Sequence, residues 1–277
     1  MTRKHSPHHL RARLSGTALA TVMLAMSFQP GAAYAMDAMT MTLSDDTEVD
    51  IRDYTADGDE MLLGFACDSG NGIREEKTAA RLANDGIETW MPDMLSAYML
   101  PNLPSSIKSI SGNDIVKLIE HAYQKTGKEV YLIAGGNAAA VALNGAAKWK
   151  QKYTVKDSQT KNHGLGGIIM LFPRLNAKPP EPGKPPVYID SVGKTDVPIL
   201  ILEGERTPNR WGLPLLKKKL EAGGSKVVTT VIPAVRGYFY TREDSNLAED
   251  VVSAQLAGLI KASLYTLKHY KDGKIIQ

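Results

Sequence analysis

The sequence predicts an α/β fold: a doubly wound, mostly parallel sheet with helices on both faces, preceded by an N-terminal β-hairpin. Three observations lead to it. Short apolar runs of strand length alternate with longer runs whose apolar residues recur at helical spacing. The strand runs are apolar almost throughout, as strands covered on both faces must be. Right-handed crossovers between parallel neighbours then send successive helices to the two faces. No internal repeat or convincing linker interrupts residues 36–277, so these are expected to form a single domain.

Each element has its own warrant. "MTMTLSDDTEVDIRDY" alternates on both sides of Asp45-Asp46 and reads as a hairpin. "EMLLGF" (60–65) is a buried strand, followed by the Gly-rich loop "ACDSGNG". "IREEKTAARLANDG" carries Ile73, Ala80 and Leu82 among charges, and Gly86 stops it as a helix. "IETWMPD" is the next strand. In "SGNDIVKLIEHAYQKTGK", Ile115, Leu118, Ile119 and Ala122 form one helical face, Asn113 or Asp114 supplies the N-cap, and Gly127 ends the helix. The pattern repeats through strand "EVYLIA", helix "NAAAVALNGAAKWK" and strand "GGIIMLF". A proline-rich excursion, "PRLNAKPPEPGKPP", is expected to be extended and exposed. Strand "VPILILEG", helix "WGLPLLKKKLEAGG", strand "KVVTTVI" and one long helix, "AEDVVSAQLAGLIKASLYTLKHY", complete the chain.

The first residues are a different kind of segment. A basic "MTRKHSPHHLRAR", an apolar "LSGTALATVMLAMSF" and a small-residue ending "QPGAAYA" follow the order of a secretory signal peptide, with cleavage expected near Ala35. The apolar run falls short of the ~20 residues that span a bilayer. A periplasmic or secreted protein with no transmembrane segment after cleavage is therefore expected. Of 33 bases and 30 acids, residues 1–35 hold four bases and no acid, so the remainder carries 29 against 30, net −1. No basic stripe is left to suggest a nucleic-acid partner. Cys67 is the one cysteine, which excludes an internal disulfide and leaves a buried inert thiol as its commonest role. No His/Cys/Asp cluster has metal-ligand spacing, and no cofactor is expected.

One stretch raises a chemical question. In "VYLIAGGNAAA" (130–140) an apolar strand meets a turn of tiny residues and a helix starts at once. A phosphate loop would need GxGxxG or GxxxxGK[ST], and neither is present. A plain tight turn is one remaining reading. A nucleophile elbow, G-x-S-x-G, is another. Laid over the elbow pattern, Ala134, Ala138 and Ala139 take the small-residue positions and Gly136 takes the nucleophile's.

With the order of the whole chain, that stretch resembles the α/β-hydrolase superfamily over nearly all of residues 37–267. "LLGFACDSGNGIREEKTAARLANDGIETWMPD" looks like the strand, oxyanion loop, helix and strand that open that fold. "VPILILEGERTP" looks like the segment that ends in the triad acid, and it puts Thr207 in the acid's place. "IPAVRGYFYTRED" looks like the segment around the triad histidine, with Arg236 in the histidine's place. The resemblance thus implies the scaffold and fails at all three catalytic positions. Glycine has nothing to attack with, threonine has no charge to hold an imidazolium, and a guanidinium stays protonated and cannot act as a base.

Two readings of function follow. In the first, the chain is a triad-less binding or accessory protein for a small anionic ligand or an exported partner, a thioredoxin-like protein being one option. Its pocket rim would hold Cys67, Asp68, Ser69, Asp93, Asn137 and Arg236. Arg236 would fix the anion, or else pair with Asp68 or Asp93. In the second, the chain is a divergent esterase or peptidase using Ser69 or Cys67. That reading needs a histidine within hydrogen-bond reach. His121 is expected on a solvated helix face, His163 at the sheet end opposite the ligand side, and His269 in the C-terminal tail.

Overall fold

The computed structural model describes residues 36–67, 73–154, 164–271 and 274–275. The expected signal segment, Asp68, Ser69 and His163 lie outside these residues. The first described strand, β1 (Met36–Thr42), pairs antiparallel with β2 (Glu48–Tyr54) across a short 3₁₀ turn at Ser44–Asp46. β3 (Glu60–Phe65), β4 (Glu88–Pro92), β5 (Glu129–Gly135), β6 (Leu165–Leu171), β7 (Ile199–Gly204) and β8 (Val227–Ile232) follow. Together they form one eight-stranded sheet in the order β1-β2-β4-β3-β5-β6-β7-β8. The hairpin joins through the antiparallel β2–β4 pair, and every later pairing is parallel.

The near-continuous apolar strands serve two cores by alternation. On β3, Met61, Leu63 and Phe65 enter one core and Leu62 the other. On β5, Val130, Leu132 and Ala134 face the first core and Tyr131 the second. Helices α4 (Gly112–Thr126) and α5 (Ala139–Thr154) cover the first face. Helices α1 (Ile73–Asn84) and α8 (Leu256–His269) cover the second, through Leu82, Ile260, Leu264 and Leu267. Each such Leu or Ile contributes about 1.5–3 kcal/mol of burial. The alanine-rich start of α5 is buried, and small residues let α4 and α5 approach closely. A Cβ on Gly145 would sit 2.2 Å from Ile115 Cγ2.

Three expectations need correction. The N-cap of α4 is Ser111, whose side chain accepts from Asn113 N, rather than Asn113 or Asp114. Asp114 is turned away from that role to accept from Ser44 N and from the Tyr98 hydroxyl, tying the hairpin to the helix. The last long helix is two: α7 (Leu247–Ala254) and α8, broken at Gln255. Helix α8 must lay its Leu256-Ile260-Leu264-Leu267 stripe on the sheet, whereas α7 leaves Leu247 and Val251 exposed and is aimed by a polar anchor at its start. His121 is half-buried instead of solvated, its ring 5.8 Å from that of Trp90, and burial lowers its pKa.

Candidate functional site

The strand-to-helix turn has the backbone of an elbow. β5 ends at Gly135, a 3₁₀ turn spans Gly136–Ala138, and α5 begins at Ala139. Gly136 has φ +57°, the left-handed region that costs an ordinary L-residue roughly 1–2 kcal/mol. Its carbonyl accepts from Arg174 N at 2.9 Å, which fixes the turn to the chain leaving β6. Asn137 is buried in the same turn.

Beneath Gly135 lies a closed polar cluster that the sequence reading did not find. A Cβ there would be 2.6 Å from the Tyr240 hydroxyl oxygen and 3.6 Å from Cys67 Cβ. Tyr240 is buried, and its hydroxyl makes hydrogen-bonding contact with the Cys67 sulfur and the Glu75 carboxyl. Cys67 N donates to Glu75 Oε1 at 3.3 Å. Burial first, then the neighbouring thiol and carboxylate, raise the Tyr240 pKa. Burial raises Glu75 as well, opposed by the amides and hydroxyl that point at it. Cys67 is therefore packed and hydrogen-bonded in the interior.

The expected single rim is divided. Cys67 and Asp93 line a cleft of about 380 Å³ together with Arg52, Ser96, Asn102 and Ala138. There Asp93 serves α2 (Met94–Ala97) as its N-cap, accepting from Ser96 N at 3.1 Å and Ser96 Oγ at 2.8 Å. Thr207 and Arg236 line a different cavity, of about 190 Å³, on the other side. An aromatic group formed by Phe172, Tyr238, Phe239 and Tyr240 fills the space between the elbow and this second cavity. A Cβ on Gly135 would lie 3.5 Å from the Phe172 ring, and one on Gly237 3.6 Å from Phe172 Cβ.

Arg236 is neither free nor paired with Asp93; its partners are Glu249 and Asp244. Its Nε donates to Glu249 Oε1 and its Nη2 to Glu249 Oε2, both at 2.7 Å, a bidentate fork on a carboxylate with no exposed surface. Nη1 reaches Asp244 Oδ2 at 2.9 Å, and Nη2 also reaches Asp244 O at 2.7 Å. Glu249 further accepts from Arg236 N and from Asn246 N, while Asn246 Oδ1 accepts from Glu249 N. The last two bonds form a capping box at the start of α7. Pairing with Arg236 first, then the two amides, holds the Glu249 carboxyl down at about 2. Asp244, held by Arg242 and Arg236, also sits at about 2. The N-x-x-E spacing of Asn246 and Glu249 was the signal that could have revealed this.

Thr207 stands where the acid was expected, its hydroxyl buried against Gly237. Next to it is a carboxylate that the sequence reading passed over. Glu203, at the end of β7, is 1% exposed, and burial pushes its pKa up to about 7. Gly204 N donates to its Oε1 at 3.0 Å, and Arg174 also favours the ionised form. The Thr207 hydroxyl favours it too, yet makes no hydrogen bond of normal geometry. Glu203 lines a cavity of about 180 Å³ under the proline-rich segment, with Pro180, Pro186 and Tyr188. That segment is exposed as expected, but it doubles back: Ala177 N donates to Val187 O, and Ile189 N to Leu175 O.

His269 stacks on Tyr265 at the end of α8, with Nδ1 2.8 Å from Tyr265 O. Among the described residues, no three His, Cys, Asp or Glu side chains are grouped to hold a metal ion. No helix among them is long and apolar enough to cross a membrane.

Solved structures share this architecture. A dienelactone hydrolase from Anabaena variabilis superposes with a TM-score of 0.57 at 13% identity, over 83% of this chain and 98% of that one. A hyperthermophilic esterase from the archaeon Pyrobaculum calidifontis gives 0.56 at 15% identity, over 83% of each chain. Esterase 2 of Thermogutta terrifontis, phosphonylated by sarin, gives 0.57 at 10% identity, over 87% of this chain and 97% of that one. No protein-family model matches the chain, and no curated protein does. At such low identities likeness speaks for architecture alone, and the architecture is that of an α/β-hydrolase fold.

Proposed function

We propose that this chain is an exported α/β-hydrolase-fold protein that binds a small ligand or an exported partner instead of running Ser-His-Asp chemistry. The observation that carries the reading is the fate of the base position. Arg236 cannot take a proton, and its fork is committed to the buried Glu249 and to Asp244. Gly136 and Thr207 add that neither a nucleophile nor an acid stands at the other two positions. Export rests on the basic, apolar and small-residue order of residues 1–35.

The second reading draws on the hydrolases and esterases that share the fold: hydrolysis by Ser69 or Cys67 in the loop after β3. Against Cys67 stands its burial at 3% exposure and its contact with Tyr240 and Glu75.

A fluorophosphonate probe and iodoacetamide, each with p-nitrophenyl acetate turnover, separate the two. The binding reading expects no mechanism-based labelling of the folded protein. Saturable labelling at Ser69 or Cys67, with turnover lost on Ser69→Ala or Cys67→Ala, would overturn it. N-terminal sequencing of the protein recovered from outside the cytoplasm should begin at Met36.

A further inference from the structure

The cavity between the acid and base positions has an unbalanced charge. Arg174, Arg206, Arg236 and Arg242 all line it, with Thr207 and Asn209. Two of the four are committed: Arg236 to Glu249 and Asp244, and Arg242 to Asp244 through Nε at 2.9 Å and Nη2 at 3.2 Å. Among the described residues, no carboxylate pairs with the guanidinium groups of the other two. Arg174 lies over the Tyr238 ring at 4.9 Å. Arg206 is held through its backbone, Arg206 N donating to Val235 O at 2.9 Å. Glu203 interacts electrostatically with Arg174, and its raised pKa weakens that opposition at neutral pH.

The walls are also built at a backbone cost. Phe172 and Tyr238 both adopt positive φ, +38° and +61°, and their rings lie 4.8 Å apart. Non-glycine residues in this region store roughly 1–3 kcal/mol each, and such strain gathers at ligand sites. Here it holds Tyr238 under Arg174.

We propose that this cavity receives a tetrahedral oxyanion group, of the kind carried by phosphate and sulfate monoesters, between Arg174 and Arg206. Two guanidiniums without a carboxylate partner among the described residues can meet the two charges of a phosphate monoester or the one of a sulfate monoester, and their planar forks suit tetrahedral oxyanions. A volume of about 190 Å³ takes the anionic head of a ligand and little more. Arg236 and Arg242 then serve as fixed wall, which moves the anion contact away from the arginine that the sequence singled out.

The proposal rests on the binding reading above and names its ligand class. Calorimetric titration of the full-length protein as isolated, with phenyl phosphate and phenyl sulfate in low-salt buffer, tests it, benzyl alcohol being the uncharged control. Saturable binding of at least one ester is expected, and the tighter of the two identifies the group. Arg206→Gln, which removes no side-chain hydrogen bond or ion pair among the described residues, should weaken binding roughly tenfold or more at an unchanged melting temperature. Arg174→Gln should weaken it similarly. Absence of saturable binding, or binding indifferent to both substitutions, overturns the site. In that outcome an unlabelled protein still leaves the binding reading intact with another ligand, whereas probe labelling at Ser69 or Cys67 overturns that reading whatever the titration gives.

Discussion

On the Gly136 side the backbone has the shape of an elbow and the side chains have gone. On the Arg236 side the side chains are many, charged and mutually satisfied. At the elbow, φ +57° at Gly136 and the close approach of Tyr240 to Gly135 leave room for little beyond hydrogen. At the base position, Arg236 gives every fork nitrogen to Glu249 or Asp244. The first region is shaped by small residues packed close together. The second is a staple that starts α7. One is held by steric economy and the other by electrostatics, and each leaves a different experimental trace.

The largest expected effect lies on the rebuilt side. Arg236→Ala strands the buried Glu249 carboxylate, and the melting temperature should fall by roughly 10 °C or more. Arg236→Lys keeps the charge but loses the fork, so it should fall between wild type and alanine. A melting temperature unchanged in Arg236→Ala would mean that the network is decorative.

Glu203 and Glu249 sharpen the contrast through pH. The folded protein holds a proton on Glu203 more tightly than the unfolded chain does, its pKa being raised from 4.5 to about 7. Stability from this group is therefore fully present below pH 4.5 and falls as pH rises to 7, by about 3 kcal/mol. Glu249 has the opposite sign: its pKa is depressed to about 2, so its contribution is present above 4.5 and is lost as pH falls toward 2. Denaturant unfolding from pH 2 to 8 should show Glu203→Gln flattening the decline across the upper window. Glu249→Gln should flatten the loss on the acid side.

Smaller effects probe the elbow. Gly135→Ala pushes a methyl to 2.6 Å from the hydroxyl of a buried tyrosine, and should cost about 1–3 kcal/mol by overpacking. Gly136→Ser puts a hydroxyl back at the nucleophile position and should cost about 1–2 kcal/mol for its positive φ. It should yield no p-nitrophenyl acetate turnover, because no base waits at Arg236. Turnover by that variant would show that the base function survives elsewhere.

Much of this architecture was legible in the sequence because it follows from local rules. Apolar strand runs, the helix stops at Gly86 and Gly127, and the small residues around Gly136 each state a constraint that acts within a few positions. The positions set against a triad, Gly136, Thr207 and Arg236, were read in the same way, each from a short segment of recognisable shape. The partners of Arg236 were not, since Asp244 and Glu249 lie 8 and 13 residues away and only packing brings them to it. Asp93, read as rim, lines the cleft with Cys67 and also caps α2, because Ser96 follows it at the spacing a cap requires.

The sequence by itself thus determined the order of strands and helices, the elbow's backbone and the absence of catalytic side chains from the expected places. Tertiary structure alone decided what fills those places. It put Tyr240 and Glu75 against Cys67, divided the expected rim with four aromatic rings, and, among the described residues, left Arg174 and Arg206 without carboxylates while Arg236 and Arg242 found theirs. Periodicity and turn chemistry act along the chain and can be read there. Burial and charge pairing act through space, and they exist only once distant segments have met.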